Sequence, residues 1–196
     1  MVGLGNPGDR YTGTRHNVGF DVVEAFARRA GGGATRLDRL DCRALTGRVR
    51  VGETPVLVAR PQTYMNLSGE SVKGLLVRHG VPLDRFVVVS DDTALPVGRI
   101  RIRRSGSSGG QKGLQSIIET LGLNDFARVR VGVRGERFCP GDDQADYVLS
   151  RFSKSERPLI DGAIDTAAEA LETIVREGIE AAMNRFNRSP EEDPEN

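Results

Sequence analysis

The segment FVVVSDD, residues 86–92, holds four apolar residues followed by a serine and two carboxylates. Such a short, uninterrupted apolar run predicts a strand buried on both faces, as in the parallel sheets of α/β proteins. Ligands of these proteins bind where parallel strands end, so Asp91 or Asp92 is a candidate functional residue. Alternatively, the two carboxylates only form a polar cap on a buried strand, and the segment by itself favours neither interpretation.

Strands and helices alternate on both sides of this segment. The predicted strands are 1–4, 44–51, 56–59, 86–90, 99–103 and 128–133, and the predicted helices are 19–30, 68–79, 113–121 and a long helix after a capping box at Ser153 and Glu156. This order predicts an α/β fold with a single domain, a mixed, mainly parallel sheet and helices on both faces. We expect the domain to span residues 1–188 and the acidic tail 189–196 to be disordered.

The composition is that of an ordinary soluble protein, with 38% apolar and 28% charged residues in a chain of 196. No segment matches a signal peptide or reaches the length of a membrane span. Cys42 and Cys139 lie far apart and lack the CxxC spacing, so we expect reduced thiols and a cytoplasmic protein.

The formal net charge of +1 hides an uneven distribution of charge. In residues 99–103, arginine alternates with isoleucine, which predicts a half-exposed strand with its arginines on one face. More basic residues follow this strand, namely Arg104, Lys112, Arg128, Arg130, Arg134 and Arg137. The middle of the chain therefore predicts a basic stripe that could bind a polyanion.

The opening VGLGNPG, residues 2–8, matches the GxGxxG pattern of dinucleotide-binding proteins at Gly3, Gly5 and Gly8. That pattern requires a helix at the third glycine, whereas here a polar loop continues to residue 17. We therefore reject a dinucleotide site, and the glycines alone could simply shape a turn. In that turn, Asn6 places an amide at the end of the first strand.

The chain has only two histidines. His79 ends a helical pattern, where an imidazole often interacts only with the helix dipole, and we expect a structural role. His16 lies in a polar loop; a lone histidine is more often structural, but one oriented by a carboxylate can act as a general base. The candidate partner is Asp91 or Asp92.

A further candidate binding loop is RPQTYMNLSG, residues 60–69, which contains Tyr64 and Asn66. The alternative is that Asn66 or Ser68 only caps the following helix. The histidines and cysteines show no zinc-ligand spacing, so we expect no resident metal, although adjacent aspartates could hold magnesium through substrate phosphates.

Five separated motifs together resemble the bacterial peptidyl-tRNA hydrolase family: VGLGNPG, TRHNVGF, PQTYMNLSGESV, VVVSDD and RVRVGV, with MNRFN near the end. The resemblance covers nearly the whole chain. It implies a cofactor-free esterase that cleaves the bond between a peptide and the terminal ribose of tRNA. We also expect a monomer with no obligate protein partner.

The resemblance also implies roles for individual residues. His16 would activate water, Asp91 would orient His16, and Asn6 would distinguish blocked from free aminoacyl groups. The positions that match substrate-binding residues are Tyr11, Tyr64, Asn66, Arg101, Arg103 and Arg130. The first three would hold the peptide or the tRNA end, and the arginines would contact tRNA phosphate.

Three positions depart from the family pattern. Ser90 stands where a histidine is common, and Gln111 and Lys112 replace a histidine and a substrate-binding asparagine. We expect Lys112 either to contact tRNA phosphate or to be an idle, solvated lysine. The main rival function is that of a non-catalytic RNA-binding relative, as in a plant splicing-factor branch, and the presence of Asn6, His16, Asn66 and Asp91 together favours the enzyme.

Overall fold

A computed structural model describes residues 1–33, 35–136, 138 and 144–187 of the chain. The strands in chain order are β1 (Val2–Gly3), β2 (Arg39–Asp41), β3 (Ala44–Val51), β4 (Thr54–Pro61), β5 (Val87–Pro96), β6 (Ile100–Arg103) and β7 (Ala127–Arg134). The helices are α1 (Val18–Ala30), α2 (Ser68–His79), α3 (Lys112–Leu121), α4 (Gln144–Leu149), α5 (Arg157–Glu177) and α6 (Ile179–Phe186). Short 3-10 turns lie at Asp9–Tyr11, Arg15–Asn17, Met65–Leu67 and Leu83–Arg85.

The strands form one sheet in the order β2-β3-β4-β1-β5-β7-β6. The central strands β4, β1, β5 and β7 are parallel, whereas β2, β3 and β6 add antiparallel strands at the two edges. The sheet is therefore mixed with a parallel centre, as expected.

Helices cover both faces of the sheet. Successive residues of β5 point to opposite sides, so this strand contributes to the apolar core on each face. Val87 and Val89 pack with α1, α5 and α6 in one apolar core. Val88 packs on the other side in a second core, with residues of α2 and α3. This arrangement explains why the run of valines carries no polar residue, and it confirms the predicted fold class.

The structure differs from the sequence-based prediction in four places. β5 continues past Ser90 to Pro96, with an irregular register after Asp92. β2 and α4 are short elements without a clear sequence signal, and a glycine with φ of 91°, Gly178, separates α6 from α5.

The capping box is confirmed, because the Ser153 N–H donates to Glu156 and the Glu156 N–H donates to the Ser153 hydroxyl.

A close approach between α1 and the sheet holds the His16 segment at the end of the parallel strands. A Cβ atom on Gly19 would lie 2.5 Å from the Leu4 carbonyl oxygen and 2.6 Å from the Val89 carbonyl oxygen. Only glycine allows the first turn of α1 to pack this closely. The 3-10 turn just before α1 therefore reaches the end of β1, where Gly3 pairs with Val89 of β5.

Within the described ranges, no helix is both long enough and apolar enough to cross a membrane. Cys42 is a free thiol. The predicted tail 189–196, Arg137 and Cys139 lie outside the described residues.

Candidate active site

A cavity of about 430 Å³ opens where the central strands end. Its walls come from the turn after β1, the 3-10 turn before α1, the loop before α2, the middle of β5, the loop before α3 with the first turn of that helix, β7 and α4. The lining side chains that the sequence singled out are Asn6, His16, Tyr64, Asn66, Asp91, Lys112 and Arg130. The structure thus brings together seven of the ten predicted site residues.

His16 and Asp91 form a buried pair in the wall of the cavity. His16 Nδ1 lies 2.8 Å from Asp91 Oδ2, and the two residues are 7% and 4% exposed. An ionised carboxylate only accepts hydrogen bonds, so Nδ1 carries the proton of a neutral ring. The unprotonated Nε2 is then left for a molecule in the cavity. Of the two candidate aspartates, His16 contacts Asp91.

The other carboxylate oxygens also have partners. Asp91 Oδ1 accepts a hydrogen bond of 3.0 Å from Gln111 Nε2, and Asp92 Oδ1 accepts one of 2.9 Å from the Ala94 N–H. Asp92 Oδ2 forms an ion pair of 2.8 Å with Arg130, held by charge rather than by a well-directed hydrogen bond. The adjacent aspartates are therefore committed to protein partners, and no group of three metal-ligating side chains occurs among the described residues.

Asn6 is fixed by two neighbours. Its Oδ1 accepts a hydrogen bond of 2.9 Å from the Met65 N–H, which identifies Oδ1 as the oxygen and leaves Nδ2 as the free donor. Asn17 holds the backbone of Asn6 at both polar atoms: Asn17 Oδ1 accepts from the Asn6 N–H, and Asn17 Nδ2 donates to the Asn6 carbonyl, each at 2.9 Å. The Asn6 amide is thus presented in one orientation.

Arg15 anchors the turn that carries His16. Its guanidinium donates to both oxygens of Glu156, at 2.9 and 2.7 Å, and to the Val133 carbonyl at 3.0 Å. It lies between the rings of Tyr147 and Phe152, 4.6 Å from each centroid. Burial would raise the pKa of the Glu156 carboxyl, but donation from Arg15 and Ser153 outweighs burial and holds that pKa below its usual range. This buried, hydrogen-bonded arginine ties the turn to β7 and to the start of α5.

The predicted substrate-binding residues divide into two groups. Tyr64, Asn66 and Lys112 are exposed on the rim of the cavity, and Arg130 also lines it. Tyr11, Arg101 and Arg103 are not among the residues that line it. Tyr11 lies in the first 3-10 turn, beneath the Arg10 guanidinium.

The basic stripe is less uniform than the sequence predicts. Arg101 and Arg103 face Arg130 and Arg128 across the β6–β7 pair, so all four side chains start from one face of the sheet. Arg128, however, is 1% exposed and donates to the carbonyls of Gly106, Ser107 and Asn124. Arg128 is therefore a structural residue that holds the loop before α3.

His79 is remote from the cavity, and its Nε2 lies 2.9 Å from Asp41 Oδ2. This contact agrees with a structural role. Sequence reasoning missed Asn17, Arg15 and the contacts of Gln111. The position of Asn17 directly after His16 is a sequence signal that could have marked it as a site residue. No sequence signal indicates the partners of Arg15, which lie far away in the chain.

A family model for peptidyl-tRNA hydrolase matches residues 1–194. Similar curated proteins, each called peptidyl-tRNA hydrolase, include one from Caldanaerobacter subterraneus that is 47% identical, with 95% of this chain and 98% of the relative covered. Another, from Syntrophomonas wolfei, is 44% identical over the same shares of the two chains.

A solved structure of the same family is similar to this chain in fold. The crystal structure of peptidyl-tRNA hydrolase from Acinetobacter baumannii matches with a TM-score of 0.86 and 33% identity, over 95% of this chain and 92% of that one. By sequence and by fold, the chain belongs to the peptidyl-tRNA hydrolase family.

Proposed function

We propose that this chain hydrolyses the ester of peptidyl-tRNA, releasing free tRNA and a peptide, with His16 as the base that activates water. Family membership supports ester hydrolysis. The observation that carries the mechanism is the buried hydrogen bond of 2.8 Å between His16 and Asp91 at the wall of an open cavity.

The chemistry needs few groups. Asp91 fixes the ring so that Nε2 can take a proton from water while the water oxygen attacks the ester carbonyl. The resulting tetrahedral intermediate breaks its bond to the ribose oxygen, and the protonated His16 returns the proton to that oxygen. One water is consumed, and a carboxylic acid and an alcohol are formed. His16 thus acts first as base and then as acid, as in other acyl transfers.

Asn6 supplies the complementary donor. Because the Met65 N–H donates to its Oδ1, the amide is oriented so that Nδ2 is the group that can donate to substrate. An N–H donor of fixed orientation suits a carbonyl oxygen that gains negative charge. A free α-ammonium offers only donors, so it would meet this amide unfavourably. The fixed orientation thus supports a preference for N-blocked aminoacyl groups.

The tRNA would extend from the rim of the cavity toward β6. Tyr64, Asn66 and Lys112 lie on the rim, where they can hold the peptide and the acceptor end. Arg130 lines the cavity and faces Arg101 across the strand pair, so cationic side chains continue from the cavity toward the edge of the sheet. This path supports phosphate contacts with Arg101 and Arg103.

The decisive assay compares hydrolysis of an N-acetyl-aminoacyl-tRNA with that of the unblocked aminoacyl-tRNA. The proposal expects turnover of the blocked ester alone. An RNA-binding relative without activity would bind both tRNAs and cleave neither.

His16→Ala should lower kcat by about 100-fold to 10,000-fold, the usual contribution of a general base, with little change in tRNA binding. Asp91→Asn should act in the same direction but less. His79→Ala is the matched control, because His79 is the other histidine and lies outside the cavity. Near-parental turnover by His16→Ala would refute the assignment of the base.

A further inference from the structure

We infer that Gln111 is a positioning residue for the reaction, which holds the Asp91 carboxylate and couples it to the start of α3. The inference rests on the proposed role of His16. Gln111 is the residue immediately before α3, with an extended backbone of φ −72° and ψ 115°. It occupies one of the positions where the chain departs from the family pattern.

The two ends of the Gln111 amide have different partners. Gln111 Oε1 accepts a hydrogen bond of 2.7 Å from the Leu114 N–H, and Nε2 donates one of 3.0 Å to Asp91 Oδ1. Exchanging the two amide atoms would set an oxygen against a carboxylate and an NH₂ against an N–H donor. The orientation of the amide is therefore fixed by the chemistry of both partners.

The contact completes a chain of hydrogen bonds. The Asp91 carboxylate is held by Gln111 at one oxygen and holds His16 by the other. Because both oxygens have partners, the carboxylate cannot rotate without breaking a hydrogen bond. Asp91 is only 4% exposed, so water has little access to replace a broken bond. Gln111 therefore determines the plane in which the carboxylate meets the imidazole.

The start of α3 is itself firmly placed. A Cβ atom on Gly113 would lie 2.5 Å from Met65 Sδ and 2.9 Å from Leu4 Cδ1, so α3 begins in close contact with the cavity wall. The Gln111 amide transmits that position to Asp91. Such outer residues set the orientation of a functional group without touching the substrate.

A simpler alternative is that Gln111 only caps α3. A serine separates the two roles, because its hydroxyl can accept from the same N–H group but is too short to reach Asp91. Gln111→Ser should keep the unfolding midpoint of the parent in urea. It should lower kcat by roughly 10-fold to 100-fold, the range found when residues that orient metal ligands are removed, and leave KM unchanged.

Gln115→Ser is the matched control. Gln115 is on the same helix, one turn further along, and its side chain donates to Glu119 at the exposed surface. This variant removes an amide of the same size from α3 without touching the cavity, and its kcat should equal that of the parent.

Gln111→Glu adds a second readout, the pH profile. A glutamate keeps the acceptor for α3 but places a negative charge beside Asp91. Among the described residues that line the cavity, the other charged groups are Asp92, which is paired with Arg130, and Lys112 on the rim. The added charge favours the protonated ring of His16, so the acidic limb of kcat/KM should move to higher pH, whereas Gln115→Glu should leave it in place.

A double-mutant cycle separates failure of this inference from failure of the proposed function. If Gln111 acts through Asp91 and His16, Gln111→Ser should lower kcat in the parent and have no further effect in His16→Ala. Equal losses in both backgrounds, or parental kcat for Gln111→Ser, would overturn the positioning role. Near-parental kcat of His16→Ala alone would instead overturn the proposed base.

Discussion

Asn17 offers a sharp test of how the site is held, because its side chain satisfies both backbone polar atoms of Asn6. Asn17→Ala removes both hydrogen bonds of 2.9 Å while keeping the backbone of the turn. Asn17 is 5% exposed and Asn6 is 8% exposed, so the stranded N–H and carbonyl groups have little access to solvent.

The size of the effect follows from these two groups. Each buried polar group left without a partner costs about 1–3 kcal/mol, so the two together cost about 2–6 kcal/mol. Water from the adjoining cavity can reach part of the space that the side chain leaves, which favours the lower end of that range. We therefore expect the free energy of unfolding to fall by about 2–3 kcal/mol.

Chemical unfolding in urea measures the loss in the free energy of unfolding. Hydrolysis of N-acetyl-aminoacyl-tRNA at saturation measures the loss in kcat. Asn187 provides a matched control, because its side chain makes the same double contact with the backbone of Ile102, at 2.8 and 3.1 Å, away from the cavity. Asn187→Ala should destabilise the fold but leave kcat unchanged.

Asn17→Ala should lose both stability and kcat, and it should discriminate less well between blocked and unblocked substrates. The loss in discrimination should not grow when Asn6→Ala is added, since both changes remove the same oriented amide. If Asn17→Ala lost stability but kept parental kcat and discrimination, Asn17 would not act through Asn6.

Two further predictions concern charge. Arg101→Ala, Arg103→Ala and Lys112→Ala should each raise KM, with little change in kcat, and reduce the salt slope of KM by about 1, because each phosphate contact releases counterions; parental slopes would contradict these contacts. Burial, followed by repulsion from Glu24, raises the pKa of Asp21 from 3.8 to about 6, so the native state binds this proton more tightly than the unfolded state. Protonation of Asp21 therefore stabilises the native state below about pH 4, and this stabilisation is lost as pH rises through 6. The free energy of unfolding of Asp21→Asn, relative to that of the parent, should therefore be about 1–2 kcal/mol higher at pH 7 than at pH 4. Urea unfolding at both pH values checks this, and an equal difference between variant and parent at both would contradict it.

The sequence predicts the fold well because its signals are local. The alternation of apolar residues, the glycines after helices and the Ser153–Glu156 capping box each depend on neighbours in the chain. β2 and α4 escape prediction because they are only three and six residues long, too short to show an apolar period. The extension of β5 through Asp91 and Asp92 escapes because two carboxylates rarely continue a buried strand, and here each is satisfied by a partner from elsewhere.

The site is only partly predictable for a related reason. His16, Asn6 and Asp91 stand out as polar residues at strand ends or in loops. Arg128 looks in sequence like another member of a basic stripe, and only the carbonyls that surround it reveal its structural role. Whether an arginine faces solvent or the protein depends on partners that are distant in sequence. A local sequence pattern does not indicate those partners.

The adjacent departures at Gln111 and Lys112 illustrate how position alone can separate two roles. The first helical residue, Lys112, points a cation to the exposed rim, where a mobile polyanion can reach it. Gln111, one residue earlier, lies before the helix, and its side chain turns back to cap α3 and to meet Asp91. A lysine at 111 could donate to Asp91 but could not accept from the Leu114 N–H, and a glutamine at 112 would bring no charge to the rim. Exchanging the two residues should therefore impair both kcat and KM, whereas each residue in its present place affects one of them.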